Sequence, residues 1–390
     1  MNLTITRRLP TAVFLIAFAH LALELHHNFL PVVYPLLIER MGLTYSQIGT
    51  LALSISLSGA LSQPLFGYLS DRWDARLMMA SSIAWLGVGM GLVGVAAHYT
   101  GQYWLLIPLI VLASFGSAAY HPAGAALIPA NTQTGRRGTA MSIFSVGGNL
   151  GSALSPLLVS AALLWFGLRG TAILIPIALL TGAFLFSQIH LFALPKHAAV
   201  EAGQRHYGPR LALALVVLIV AARSWFQGSL LTYLPEWLLG QGRPLEVASS
   251  IFSVLLVSLS LGSMSGGILS DRVGSVPVIV VSLGLLGPLH WLMLHTTGGT
   301  QLLCIGLTGV MIGASFPVTI LMAQEIWPRA TGLASSLVMG LGWLPAGIGS
   351  WVVGLIADRS SLTIGLTTLI FVPLVGVTAA LLFRWQFDKM

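Results

Sequence analysis

Twelve apolar stretches, each about 20 residues or longer and so able to cross a bilayer core as a helix, follow one another with only short polar breaks. No other feature constrains the chain as strongly, because lipid cannot satisfy backbone polar groups and a helix satisfies its own. The expected spans are 11–38, 46–69, 77–97, 102–127, 138–166, 169–192, 211–239, 246–269, 276–296, 300–324, 330–356 and 362–384. Charged residues make up 7% of the chain, against roughly a quarter in soluble domains, which excludes a water-soluble globule. Arg7 and Arg8 precede the first span as in a secretory signal. The apolar run nevertheless continues past Glu24, His26 and His27 to Leu37 without a small-residue cleavage site, and reads as a retained helix.

The basic residues test this layout independently of hydropathy. Thirteen fall on one side: Arg7, Arg8, Arg72, Arg76, Arg136, Arg137, Lys196, Arg205, Arg210, Arg272, Arg329, Arg384 and Lys389. Only Arg40, Arg169, Arg243 and Arg359 fall on the other, and Arg223 lies within a span. The positive-inside bias therefore places both termini in the cytoplasm of a multi-pass protein of the cell inner membrane.

The longest polar break, Pro195 to Arg210, separates six spans from six. The expected organisation is a bundle over 1–194, a cytoplasmic linker over 195–210 and a second bundle over 211–390. Each half repeats a pattern. Gly67-Tyr68-Leu69-Ser70-Asp71-Arg72 is echoed by Gly267-Ile268-Leu269-Ser270-Asp271-Arg272, and Arg137-Gly138-Thr139-Ala140 more weakly by Arg329-Ala330-Thr331-Gly332. Two echoes at similar offset indicate a duplicated half. The expected fold is an all-α membrane protein with twelve transmembrane helices in two pseudo-symmetric six-helix bundles.

The run from Gly67 to Arg76, completed by Trp73, Asp74 and Ala75, resembles the loop between helices two and three of the major facilitator superfamily of secondary transporters. The resemblance covers the whole chain, and implies a substrate path between two bundles near the midplane, worked by alternating access. It implies gating roles for Gly67, Asp71, Arg72 and Arg76, and for their counterparts Gly267, Asp271 and Arg272. Gly67 permits close helix contact, and Asp71 with the arginines can grip helix ends when the cytoplasmic side is shut.

A narrower likeness is to the fosmidomycin resistance protein group of efflux transporters. It is carried by His20 and Glu24 with Tyr34-Pro35-Leu36-Leu37, by Tyr120-His121-Pro122, by Ser142 to Gly151, and by Ala323-Gln324-Glu325 before Pro328. Two departures are visible. Span four lacks the arginine of many drug/proton antiporters, and Ala123 stands where the group usually has an acidic residue.

Ionisable groups within spans are costly and mark function or pairing. His20, Glu24 and His27 recur at i, i+4 and i+7 on one face of the first helix, while His26 points roughly a hundred degrees away. A carboxylate set between imidazoles is suited to proton exchange, and a satisfied structural cluster is the competing reading. His121 precedes Pro122 within span four, where a kink can present it to a cavity. Arg223 lies some 13 residues into span seven, about 20 Å from its start, too deep for easy snorkelling. It can clamp an anion or pair with Glu24 from the opposite half. Tyr120, Asn149, Gln227, Tyr233 and His27 are the further candidate substrate contacts.

No enzyme is expected: the chain has no Walker loop, no His-Glu-x-x-His helix and no nucleophile elbow. No cofactor or metal is expected. The single cysteine, Cys304, excludes an intramolecular disulfide, and the basic loops read as orientation signals rather than a nucleic-acid surface. The expected function is proton-driven export of a small polar or anionic compound. Glu24 is the expected proton carrier, with His20 and His121 beside it and Arg223 as anion clamp. Proton-coupled uptake of a nutrient, or a non-transporting membrane sensor, are the alternatives. The partners implied are the small-molecule substrate, protons and membrane lipid, and one chain contains a complete pathway, so a monomer suffices.

Overall fold

The computed structural model describes residues 11–70, 72–133, 137–194, 210–326 and 331–387, and within these the side chains outside 137–139, 331–337, 339–341 and 387. Every regular element among them is helical. The helices of the first half are α1 Thr11–His27, α2 Leu30–Met41, α3 Tyr45–Ser70, α4 Ala75–Thr100, α5 Tyr103–Ala130, α6 Arg137–Phe166 and α7 Leu174–Ser187. Those of the second half are α8 Arg210–Gly240, α9 Leu245–Val273, α10 Ser275–His295, α11 Gly298–Ile326, α12 Thr331–Arg359, α13 Leu362–Thr367 and α14 Val372–Phe387.

Ten stretches among the described residues are long and apolar enough to cross a membrane. One of them, Ala140–Ser187, is 48 residues long and breaks at Gly167, whose φ of 56° starts a short 3-10 segment that turns the chain into α7. Counting its two arms separately and adding α12, 29 residues long, brings the crossings to the twelve expected. α1 with α2 forms one crossing, as α13 with α14 does. Pro31, at the start of α2, lacks the N–H an unbroken helix would need, which accounts for the interruption after His27.

The first half closes through α1 on α6, α4 on α5 and α7, and α3 on α5; the second through α9 and α10 on α11, and α8 on α12 and α14. The halves meet through α3 on α12, α6 on α9 and α2 on α8, and the first two of these pairings are each other's image under exchange of the repeats. The α3–α12 interface is lined by small residues, Gly49, Ser56, Gly347 and Gly354 among them, as expected where lipid removes the hydrophobic drive for helix association.

The α3–α12 seam is not uniform. Gly49 and Gly67 lie 18 residues apart, five helical turns, and so share a face of α3. A Cβ at Gly49 would lie 2.6 Å from the Cα of Trp351 and 2.8 Å from the Ser350 carbonyl, yet one at Gly67 would meet nothing within 4 Å. Among the described residues, then, the close helix contact expected of Gly67 is not made. At the joined end, Asp358 accepts hydrogen bonds from the backbone N–H groups of Tyr45 and Ser46, at 2.7 and 3.0 Å. The Tyr233 hydroxyl lies 2.8 Å from the carbonyls of both Tyr45 and Ser350, bridging α8, α3 and α12.

At the other end, that of the basic loops, the contacts of the motif residues stay within one half. Asp74 caps α4 through the Arg76 N–H at 2.9 Å and pairs with the Arg76 guanidinium at 2.6 Å. Arg76 also donates to the Phe192 carbonyl at 3.3 Å, and Arg72 lies over the Tyr68 ring at 4.1 Å. Asp271 and Arg272 are exposed, and a Cβ at Gly267 would meet only Pro317, at 4.0 Å. Asp71 lies outside the described residues.

Candidate functional site

Three glycines on one helix decide where the charged cluster sits. On α6, Cβ atoms at Gly147, Gly148 and Gly151 would collide with the Ala17 carbonyl, the His20 imidazole and the Leu21 carbonyl respectively. Their absence lets α1 pack backbone-close to α6, and the His20 ring takes the space over Gly148. His20 then stacks on Phe144, centroids 4.1 Å apart and planes at 19°, with Tyr120 behind it at 5.7 Å. Its Nδ1 lies 2.9 Å from the Phe144 carbonyl. A carbonyl only accepts, so Nδ1 carries the hydrogen and Nε2 points at Glu24.

Glu24 is the centre of the arrangement. Its Oε1 is 3.6 Å from His20 Nε2 and 3.6 Å from His121 Nε2, and its Oε2 is 3.9 Å from His27 Nδ1. Asn28 Nδ2 donates to Oε2 at 2.6 Å and Ser152 Oγ donates to it at 3.3 Å, while Asn28 also donates to Ser152 at 3.0 Å. One carboxylate thus meets three imidazoles and two neutral donors from α1, the α1–α2 turn, α5 and α6. The Glu24 side chain is 13% exposed and that of His121 30%, so His121 is the member most open to the space outside the cluster.

Glu24 lies on α1 and Arg223 on α8, the first helix of each half. They stand 199 residues apart, within one residue of the spacing between the repeated motifs at Asp71 and Asp271. The duplicated scaffold therefore carries an anion and a cation at matched depth. Arg223 is buried, with Nη1 donating to Gln227 at 2.7 Å, Nη2 donating to Ser224 at 2.9 Å and the guanidinium over the Phe316 ring at 4.9 Å. Its Nε has no partner, and among the described residues no carboxylate pairs with it. The anticipated option of an Arg223–Glu24 pair is not realised, since the imidazoles and Asn28 already surround Glu24.

A cavity of about 120 Å³ lies between the halves, lined among others by His27, Asn28, Ser56, Gly228, Trp343 and Ser350. His27 links the cluster to it, with its ring 6.3 Å from that of Trp343. A larger groove, of about 470 Å³, runs between α10 and α14 beside Trp291 and Phe371, but its lining has no charged side chain.

The remaining candidates separate by environment. Asn149 is half-buried on the same stripe of α6 as Ser145 and Ser152. Gln227 orients Arg223. Tyr120 is fully buried, its hydroxyl donating to the Ile16 carbonyl at 3.2 Å, and it backs His20 instead of reaching the cavity. Tyr233 is equally buried and belongs to the closed seam. His26 is wedged between the Ala22 and Leu174 carbonyls, away from the cluster.

Sequence reasoning missed Asn28, Ser152 and Asp358. Asn28 stands four residues after Glu24, a spacing that places it on the same helical face, whereas Ser152 and Asp358 had no local signal. The donor atoms of His20, Glu24 and His121 also fall within 4.8 Å of one another, a possible metal-ligand set that spacing along α1 alone does not display.

Two repeated helical bundles, with a buried charged cluster inside the first and a cavity between them, make up a multi-pass membrane protein. The chain belongs to the Major Facilitator Superfamily, whose family model matches residues 12–259. It is similar to the fosmidomycin resistance protein of Escherichia coli (strain K12), 27% identical over 375 residues, covering 93% of this chain and 90% of that one. It is likewise 27% identical over 383 residues to the uncharacterized MFS-type transporter YfnC of Bacillus subtilis (strain 168), covering 94% of this chain and 91% of the other. Among solved structures, a bacterial homolog of the human lysosomal transporter Spinster, in an inward-facing and occupied conformation, superposes with a TM-score of 0.82. That match covers 97% of this chain and 96% of the other at 15% identity.

Proposed function

We propose that the protein exports a small polar or anionic compound in exchange for protons, by alternating access between its two halves. The observation that carries this reading is the Glu24 carboxylate held 3.6 to 3.9 Å from three imidazoles deep in the membrane. A carboxylate and histidines in contact can take up or release protons as the site is exposed to one side or the other. Coupling requires that proton and substrate favour different states, so that moving one drives the other.

Arg223 supports an anionic substrate, because among the described residues its buried guanidinium pairs with no carboxylate and its Nε keeps an unused hydrogen-bond donor. Export is the direction suggested by the similarity to the fosmidomycin resistance protein. With the basic loops in the cytoplasm, the Tyr45–Asp358 seam closes the outer side.

The test is flux in liposomes with internal pH recorded under an imposed gradient, while small anions including phosphonates and carboxylates are screened. Substrate-dependent proton movement that disappears in Glu24→Gln is the expected result. Transport without proton movement, or insensitive to that substitution, overturns the reading.

A further inference from the structure

We propose that the Glu24 cluster is also a binding site for one divalent transition-metal cation of the Zn2+ type, held by His20 Nε2, Glu24 Oε1 and His121 Nε2. The inference comes from which atoms are already engaged and which are not. On Glu24, Oε2 accepts from Asn28 and Ser152, while Oε1 has no hydrogen-bond donor and faces the two Nε2 atoms. On His20, Nδ1–H is committed to the Phe144 carbonyl, so Nε2 directs a lone pair at the carboxylate unless it carries a second proton. Two electron-pair donors turned toward each other need a cation between them.

The separations suit a metal better than they suit hydrogen bonds. Both Nε2 to Oε1 distances are 3.6 Å, beyond the N–H···O range, and all three donor atoms lie within 4.8 Å of one another. Ligands bound at about 2.1 Å around a tetrahedral ion stand ~3.4 Å apart, so small side-chain rotations complete the site.

The surroundings are also those of a built metal site. A ligating histidine typically donates its other ring N–H to a backbone carbonyl or carboxylate, which fixes its tautomer, and His20 does this through Phe144. Asn28 and Ser152 orient the carboxylate in the same way. The ring is fixed from both sides, by stacking on Phe144 and by the Gly148 surface. Two imidazoles and one carboxylate favour Zn2+, Ni2+ or Co2+ over Mg2+ and Ca2+, which prefer all-oxygen shells. Three protein ligands leave the fourth position to water or to an anionic ligand. His27, 3.9 Å from Oε2, lies close enough to enlarge the coordination.

The experiment uses purified, tag-free full-length protein in detergent, with no substrate and no pH gradient, so its outcome does not depend on whether the protein moves protons. Calorimetric titration with ZnCl2 is expected to give one site per chain. MgCl2 should give no signal, and affinity should fall by roughly a hundredfold in Glu24→Gln and in His121→Ala. His295→Ala, at an exposed histidine on the end of α10, should bind Zn2+ as the unaltered protein does. Visible absorption of bound Co2+ is measured on the unaltered protein, independently of how any variant folds, and is expected to show the strong ligand-field bands of a site with few, nitrogen-containing ligands. Zn2+ binding that survives both cluster substitutions, equal binding of Mg2+, or a Co2+ spectrum like that of the hydrated ion would overturn the proposal.

Discussion

Asp358, the penultimate residue of α12, caps the first turn of α3 by accepting the Tyr45 backbone N–H at 2.7 Å across the junction of the two halves. The Ser46 N–H adds a second bond to the same carboxylate, at 3.0 Å. A helix N-terminus offers unsatisfied donors and a partial positive charge, so a carboxylate from the other half is well placed to hold the seam. Opening that side requires both bonds to break together.

Asp358→Ala is therefore expected to weaken the closed seam. Loss of a capping carboxylate costs about 1 kcal/mol, which shifts a two-state population roughly fivefold. The readout is labelling of Ser56→Cys, a cavity-lining position, by a membrane-impermeant thiol reagent added on the seam side. Labelling should rise in the double variant, against the low background of the single buried Cys304. Unchanged labelling would show that the Tyr233 bridge alone holds the seam.

Gly148→Ala tests the packing that positions His20. The added methyl would fall on the imidazole, and the backbone contacts at Gly147 and Gly151 on either side keep α1 from moving away, so the ring has to leave its stack on Phe144. Overpacking of this kind costs about 1–3 kcal/mol. Substrate-driven proton flux should drop sharply and the thermal transition should fall by several degrees. Gly284→Ala, where a Cβ meets nothing within 4 Å, is the matched control and should leave both unchanged.

Much of this could be read from the residues alone, and the rest could not for identifiable reasons. The spacing of His20, Glu24 and His27 placed all three on one helical face, and the structure turns that face toward α5 and α6. His121 joins Glu24 from 97 residues away, and a local pattern cannot specify which depth of α5 meets which depth of α1. The helix spans were legible because hydropathy and length set them, whereas the Asp358 cap on α3 joins residues 313 apart and had no local pattern. Tyr120 illustrates the limit in the other direction. A polar residue beside a candidate ligand looked like a substrate contact, but its hydroxyl is taken up by the Ile16 carbonyl.

Asp74 gives a pH dependence outside the membrane. The Arg76 guanidinium and backbone N–H hold its carboxyl below the ordinary value of 3.8. A lowered carboxyl stabilises the fold at pH values above its unfolded value, and that contribution is lost as pH falls through the folded one. Asp74→Ala should cost about 1 kcal/mol near neutral pH, mostly from the lost cap, since a partly exposed ion pair adds little. The difference between the thermal transitions of the two proteins should begin to narrow as pH falls below about 4, and a constant difference down to pH 3 would refute the charge-based account.

Arg223→Lys separates charge from geometry in the second half. Lysine keeps the positive charge but lacks the planar fork that now serves Gln227 and Ser224 while leaving Nε free. If an anion is bound there, losing one charge-assisted hydrogen bond of about 1.5–3 kcal/mol should raise KM by roughly ten- to a hundredfold. Maximal flux should change less, because the proposed cycle assigns proton exchange to Glu24 and not to Arg223. Gln227→Ala should raise KM in the same direction but by less, since it removes only the group that orients the guanidinium. The measurement is initial flux against substrate concentration in liposomes, run in parallel with Glu24→Gln, for which maximal flux and not KM should collapse. An Arg223→Lys protein with unaltered KM for an anionic substrate would place the anion away from this residue and leave Arg223 a structural cation stacked on Phe316.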